Sequence, residues 1–230
     1  MSEKYPEIAL ERFDKANLWI KYIIFKIMRF LKDDVLEVGA GLGSFTRGYM
    51  KNLHSITLTD TDDNSFNLLK KNFLHDQNVN IIKSSIKDIE KKFDTIIYFN
   101  VLEHIKEDIS EIKSALEKLN KGGHLIILVP AHQKMYSKLD KAVGHYKRYG
   151  VDFFKENKFE NSKIIKLHFL DFFGYLLYNL NKNLFKEEIY PSNLKIFIWD
   201  KIFTPFTIII DCLTGYKFGK NILCIYQKND

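Results

Sequence analysis

Apolar and polar positions along the chain change period several times, and each change predicts an element. Over residues 12–31, Phe13, Leu18, Trp19, Ile20, Ile23, Ile24, Ile27, Met28 and Leu31 recur at helical spacing. They predict an amphipathic helix leading into the fold. A short apolar run at 35–38, followed by glycines, predicts a buried strand that ends in a tight turn. Further strands are expected at 55–59, 79–83, 95–99 and 124–129, the last closed by Pro130. Helices are expected at 64–72 and 108–119. The second carries Ile109, Ile112, Leu116 and Leu119 on one face, with Gly122 and Gly123 ending it. Strand and helix in alternation imply an α/β protein with a Rossmann-like doubly wound sheet and helices on both faces.

After Pro130 the rhythm changes. Residues 131–150 are polar, aromatic and basic, residues 151–157 suit a short helix, and 163–169 and 222–227 suit two more strands, giving a seven-stranded sheet. The roughly fifty residues between those strands are too many for a bare loop and predict an inserted helical cap near the C-terminus. A single domain over 1–230 is therefore expected. It divides into an N-terminal helical segment (1–32), a core (33–169), a cap insertion (170–220) and the last strand (221–230).

Composition narrows the class. With 230 residues, 46% hydrophobic and 28% charged, the chain can bury a sizeable core and is neither a disordered chain nor a disulfide scaffold. The formal charge of +6 suits an acidic or membrane-surface partner without demanding nucleic acid. Cys212 and Cys224 form no metal pattern, and two cysteines suggest a reducing compartment. Residues 1–11 do not read as a secretory signal. The apolar stretch 202–213 is interrupted by Thr204, Pro205, Thr207 and Asp211 and falls short of the roughly 20 residues of a spanning helix. A soluble, cytoplasmic protein is the expectation.

The sharpest signal is VLEVGAGLGSFT at 35–46. A strand delivers Glu37, then Gly39, Gly41 and Gly43, whose missing side chains let the backbone turn sharply and let a ligand lie against it. The helix that follows would offer free N–H groups to a negative group. A dinucleotide turn G-x-G-x-x-G begun at Gly39 would need its third glycine at Ser44, one place later than Gly43. Asp60 closes the second strand 21 residues after Gly39, and an acid there can accept both hydroxyls of a ribose.

These segments, with FDTIIYFNVLEHI from Phe93 and the Leu119-Asn-Lys-Gly-Gly turn, stand in the order found in class I S-adenosylmethionine-dependent methyltransferases, which the chain resembles over 35–129. The stretch PAHQKMYSKLDKAVGHYKRYG from Pro130, and residues 13–19, are similar to a subset of these enzymes associated with glycosyltransferases and cell-envelope assembly. The resemblance implies S-adenosylmethionine as cofactor and residues 33–169 as the cofactor-binding core. It implies that Gly39, Ala40, Gly41 and Gly43 border the methionine part and adenosine, with Glu37 supporting the turn through its backbone or the cofactor amine. It further implies Asp60 on the ribose diol, Thr61 against the adenine and Asn100 facing the methyl region. Where many relatives carry an acid after the third strand this chain has Ser84 and Ser85, so Ser85 and Ile86 are expected beside the adenine.

Methyl transfer is an in-line displacement, and alignment of the reactants does most of the work. A base is needed only for an acceptor that keeps its proton. Acceptors should enter after the fifth strand, at the carboxyl end of the sheet. His132 and His145 are the candidate bases there. His104, Tyr146, Arg148 and Tyr149 are candidate acceptor-binding residues, with Arg148 and Lys147 suited to a phosphate or carboxylate. The plain alternative is a solvated loop in which Asp140 pairs with Arg148. His54, His75, His124 and His168 read as structural or surface residues. No metal is expected, since no His/Cys/Asp grouping has ligand spacing. Residues 167–184 hold Phe169, Phe172, Phe173, Tyr175 and Tyr178. They suit the core of a cap, an apolar acceptor channel, or a membrane-touching patch helped by Lys182 and Lys186.

The expected function is methyl transfer to O or N of a small-molecule or glycan/lipid-linked sugar acceptor, with peripheral attachment at the inner membrane face or association with a glycosyltransferase as further expectations. A nicotinamide-dependent oxidoreductase is disfavoured by Ser44, and a non-catalytic cofactor-binding protein stays open. A nucleic-acid methyltransferase is disfavoured by Asn100-Val-Leu-Glu where base-nitrogen enzymes often carry Pro-Pro-aromatic.

Overall fold

A computed structural model describes residues 7–184 and 189–229. The N-terminal apolar pattern forms two helices rather than one: α1 (Glu7–Phe13) and α2 (Asn17–Ile27), separated by a turn at residues 14–16. The strands follow as β1 (Asp34–Val38), β2 (Ser55–Thr59), β3 (Val79–Ile82), β4 (Phe93–Phe99), β5 (Leu119–Pro130), β6 (Ser162–Leu170) and β7 (Asn221–Lys228). Between them lie α3 (Thr46–Tyr49), α4 (Asp63–Asn72), α5 (Asp108–Glu117), α6 (Lys138–Ala142) and α7 (Val151–Glu156). The stretch between β6 and β7 holds α8 (Phe172–Leu184), α9 (Asn193–Ile198) and α10 (Thr204–Leu213). Residues 119–123, expected as the end of a helix, belong instead to β5. Leu119 pairs with Phe93, and the register shifts before Thr95 meets His124.

The sheet runs β3-β2-β1-β4-β5-β7-β6, parallel from β3 to β5, with β7 antiparallel to both its neighbours. The chain leaves β1 toward β2 and β3, then returns to build β4 and β5 on the other side. The switch point lies between β1 and β4, where open α/β sheets place their ligands. Successive residues of β4 alternate between faces. Ile97 and Phe99 join α2, Tyr49, Leu69 and Phe73, while Ile96 and Tyr98 join Ile112, Leu116 and Phe154. Both faces are therefore buried, which is why the central strands read as continuous apolar runs.

Buried carboxylates hold the β6–β7 insertion down. Asp200 accepts from the N–H groups of Leu18 (3.3 Å) and Trp19 (2.9 Å), so this distant residue caps the start of α2. Asp211 accepts from the Tyr22 hydroxyl (3.0 Å) and from the N–H groups of Asp171 (3.0 Å) and Phe172 (3.1 Å). Asp171 in turn accepts from Gly174 N–H (2.8 Å) and the Trp199 indole (3.1 Å). This gives α10 an inverted pattern: Thr204, Thr207 and Asp211 are buried, while Phe206, Ile209 and Leu213 are 56%, 57% and 76% exposed. The aromatic residues Phe172, Phe173, Tyr175 and Tyr178 of α8 are half-buried, with Phe173 against Phe203 and Phe206. The side chain of Lys182 and all of Lys186, expected to help a membrane patch, lie outside what the structure describes.

Replacing Asp211 by Ala removes the acceptor for three donors at once. Urea denaturation should show a loss of about 3–6 kcal/mol, from charge-assisted bonds and orphaned donors, and Asp211→Asn should lose less because one acceptor oxygen stays.

Candidate functional site

β1 ends in a turn built on left-handed backbone. Gly39, Gly41 and Gly43 have φ of +65°, +57° and +73°, a region that side chains disfavour. A Cβ on Gly39 would fall 2.7 Å from Val101, and one on Gly43 would fall 2.2 Å from the Phe73 ring. The turn is tied to the neighbouring strand: Ala40 N–H donates to Thr59 O (2.9 Å), and Gly41 N–H donates to Asp60 Oδ2 (3.1 Å). Asp62 N–H takes Asp60 Oδ1 (3.0 Å). Burial raises the Asp60 pKa, and these N–H donors offset part of that rise. Glu37 braces the turn from within the core. Its carboxylate accepts from the hydroxyls of Thr46 (2.6 Å) and Tyr49 (2.5 Å), while burial pushes its pKa up to about 7. The carboxylate is thus engaged by α3, where a cofactor amine had been the alternative expectation. α3 itself is four residues long, so the helix expected to attract a negative group contributes little dipole.

The other cofactor candidates sit at the carboxyl ends of adjacent strands. Thr61 is exposed beyond β2, and Asn100 is exposed beyond β4 with φ of +53°. Beyond β3, the Ser85 hydroxyl donates to Asp88 (2.6 Å), and Ile86 is wholly buried. Ala40 is also buried. Sequence reasoning missed what lies over the turn: a Cβ on Gly41 would stand 3.3 Å from Leu10 of α1. Asp14 accepts from the Ser44 hydroxyl, and Arg12 donates to the carbonyl of Pro191 (3.0 Å), so the N-terminal segment bridges the turn and the insertion. A separate cleft of about 410 Å³, lined by Lys113, Glu117, Lys158 and Lys228, opens where β5 begins and holds none of these residues.

The segment after β5 departs from the expected loop. Arg148 and Asp140 do pair, through Nε (2.8 Å) and Nη2 (2.9 Å), but the pair is buried, not solvated. Burial works to raise the Asp140 pKa, yet hydrogen bonds from His145 and Arg148 outweigh it and hold the carboxyl well below its usual range. Arg148, expected to bind an acceptor, is thereby held by Asp140 inside the fold. Tyr149 is likewise buried, donating to Asp108 (2.8 Å) and lying 3.0 Å from Leu102 O. Lys147, the other expected anion grip, pairs with Asp108 (2.6 Å). His132 has its Nε2 on Gly219 O (2.9 Å), and its ring is stacked on Phe169, which fixes it as a bracket between β5 and the approach to β7. Burial lowers its pKa. Tyr146 stays 61% exposed, its N–H donating to Glu103 O (2.8 Å).

Beyond β4, Glu103 and His104, adjacent in the sequence, meet the distant His145. His145 Nδ1 bonds Asp140 (2.8 Å), which turns Nε2 toward Glu103 Oε1, 3.8 Å away. The His104 and His145 rings meet edge to face at 4.6 Å. Glu103 is buried, and neither of its carboxylate oxygens has a hydrogen-bonding partner. Burial pushes its pKa up to about 8, while burial and the neighbouring His145 push His104 down to about 3. One ligand-type atom from each of Glu103, His104 and His145 lies within 4.8 Å of the others. Spacing along the chain concealed this group, because 41 residues separate His104 from His145. The available signal was an acid, Glu103, in the otherwise apolar run that follows a buried strand.

A family model described as a methyltransferase domain matches residues 10–165. No curated protein matches the chain by sequence. Solved structures resemble it along most of its length. The complex of the Haloferax volcanii Trm112 methyltransferase activator and its methyltransferase contains a chain with a TM-score of 0.68 at 9% identity, covering 100% of each chain. A methyltransferase from Bacillus halodurans gives 0.61 at 14% identity, over 91% of this chain and 99% of the other. The N-methyltransferase NodS of Bradyrhizobium japonicum, in complex with S-adenosyl-L-homocysteine, gives 0.57 at 11% identity, over 99% and 89%. At such identities the likeness is one of fold, and the matched domain supplies the family. With its glycine turn at the switch point of a β3-β2-β1-β4-β5-β7-β6 sheet, the chain belongs to the methyltransferase domain family and has the class I S-adenosylmethionine-dependent fold.

Proposed function

We propose that this protein transfers the methyl group of S-adenosylmethionine to an oxygen or nitrogen of a small-molecule acceptor, a glycan or lipid-linked sugar being the class that the 130–150 segment favours. The observation that carries the reading is the left-handed turn Gly39–Gly41–Gly43 tied to Asp60 at the ends of β1 and β2. The cofactor suits these residues, because the glycine turn presents backbone without side chains at the ends of β1 and β2 and Asp60 places a carboxylate beside it. When bound, S-adenosylmethionine supplies an electrophilic methyl carbon on a sulfonium. The chain's own residues then bind and orient. Asp60 receives the ribose hydroxyls, with Thr61 and Ser85 flanking the adenine. The turn gives backbone to the methionine part, and Asn100 faces the methyl side. Leu10 and the stacked Phe45 and Phe99, whose centroids are 4.2 Å apart, exclude water around the turn. Acceptor activation is assigned to the group beyond β4 that includes His145, in preference to His132, whose Nε2 is already bonded.

A peripheral attachment to an anionic membrane is the companion reading. It is supported by the outward Phe206, Ile209 and Leu213 of α10 beside exposed Lys201 and Lys217. Among the described residues no helix is long and apolar enough to cross a membrane.

Two measurements test these readings. Asp60→Ala should weaken S-adenosylhomocysteine binding at least about tenfold by calorimetry, through loss of charge-assisted hydrogen bonds; unchanged affinity overturns the ribose assignment. The protein should float with anionic vesicles and lose that behaviour in Phe206→Ser/Ile209→Ser; equal flotation of both, or of neither, removes the membrane reading.

A further inference from the structure

We propose that Glu103, His104 and His145 form a binding site for a divalent transition-metal ion of the zinc type, placed directly after β4. Two imidazoles and one carboxylate are the donor set that zinc and its first-row neighbours take. Three protein ligands leave a further position open to water or an acceptor oxygen, as in catalytic rather than structural sites.

The cluster is more than a coincidence of ligand types, and Glu103 is the first reason. Its side chain is 0% exposed, and neither oxygen has a hydrogen-bonding partner. Every other buried carboxylate described above has donors. Asp140 has Arg148, His145 and Ser137, and Asp211 has Tyr22 and two backbone N–H groups. A buried carboxyl whose oxygens have no hydrogen-bond donor is costly, and a cation between it and the two histidines removes that cost.

The second reason is the orientation of His145. Its Nδ1 is held by Asp140, and Asp140 is held by the forked Arg148 guanidinium. Carboxylate–histidine pairs of this kind fix which nitrogen is presented to a metal. Here the presented atom, Nε2, points at Glu103 Oε1 from 3.8 Å. The three donor atoms span at most 4.8 Å. Closing them onto one ion with bonds of about 2.0–2.2 Å needs inward shifts of under about 1 Å per group, within the reach of side-chain rotation.

The role of the ion rests on the methyl-transfer reading above: coordination of an acceptor hydroxyl lowers its pKa, so His145 would serve as a ligand rather than as a free base. Binding of the ion does not rest on that reading.

The test uses untagged full-length protein stripped with EDTA and titrated with Co²⁺ alone, followed by its visible ligand-field absorption, and with Zn²⁺ in competition. One ion per chain is expected. Glu103→Gln and His145→Ala should each weaken it about a hundredfold, and Asp140→Asn, which loosens the hold on His145 Nδ1 together with the Arg148 and Ser137 contacts, about tenfold. His75→Ala, on the exposed surface, should change nothing. Glu103→Gln should also unfold no earlier than the parent stripped of metal, since the amide has the shape of the carboxyl and no hydrogen bond of the side chain is lost; this guards against reading a misfolded variant as a lost site. Asp60→Ala should lose S-adenosylhomocysteine and keep Co²⁺, so failure of the cofactor assignment and failure of the metal site are distinguishable. Absence of saturable Co²⁺ binding, or equal affinity in the parent, Glu103→Gln and His145→Ala, overturns the proposal.

Discussion

Three backbone positions with positive φ at the end of β1 constrain everything around them. They bring β1 out of the sheet at the switch point and fold it back within a few residues. Gly39 and Gly43 also leave no room for a side chain, since Val101 and Phe73 already occupy the space a Cβ would need. Only glycine satisfies both demands. Once the turn is set, Gly41 N–H meets Asp60 and Glu37 meets Thr46 and Tyr49, so the ends of β1 and β2 and the start of α3 become one rigid unit.

Buried carboxylates recur as the means by which separate parts of the chain are fastened. Asp200 caps α2, Asp211 joins α2 to the start of α8, and Asp140 gathers Arg148, His145 and Ser137. Each accepts from several donors, which is the condition under which a buried charge is tolerable. Against this pattern Glu103 stands apart, and its isolation is the physical reason to look for a cation there rather than for another internal brace. On α10 it is Asp211 that faces inward to accept from Tyr22, Asp171 and Phe172, while Phe206, Ile209 and Leu213 face out.

Much of the architecture was legible from period alone. The strands at 35–38 and 95–99 are mostly apolar because both faces of a parallel sheet are covered, that at 55–59 alternates Thr57 and Thr59 with Ile56 and Leu58, and the helix at 64–72 differs from α4 by one residue. The N-terminal apolar spacing suits one continuous helix, whereas at residues 15–16 the backbone bonds tighten to Lys15 N–H on Arg12 O and Ala16 N–H on Phe13 O and the regular ladder is interrupted. Residues 119–123 read as a helix end because they close on Gly122 and Gly123, whereas pairing of Leu119 with Phe93 draws them into β5. Pairing between distant strands is a tertiary term that no local pattern contains.

The sequence by itself determined the alternation of strands and helices, the glycine turn with its acid 21 residues on, and hence the family, since these depend on local backbone freedom and on periodicity. Tertiary structure decided which polar groups are reachable. It buried Arg148 and Tyr149 against internal partners, fixed His132 on a backbone carbonyl, and carried His145 across 41 residues to face Glu103. Charge and residue type are written in the chain, but solvent access and the identity of a partner exist only when distant segments pack, and those two quantities separate a brace from a binding site.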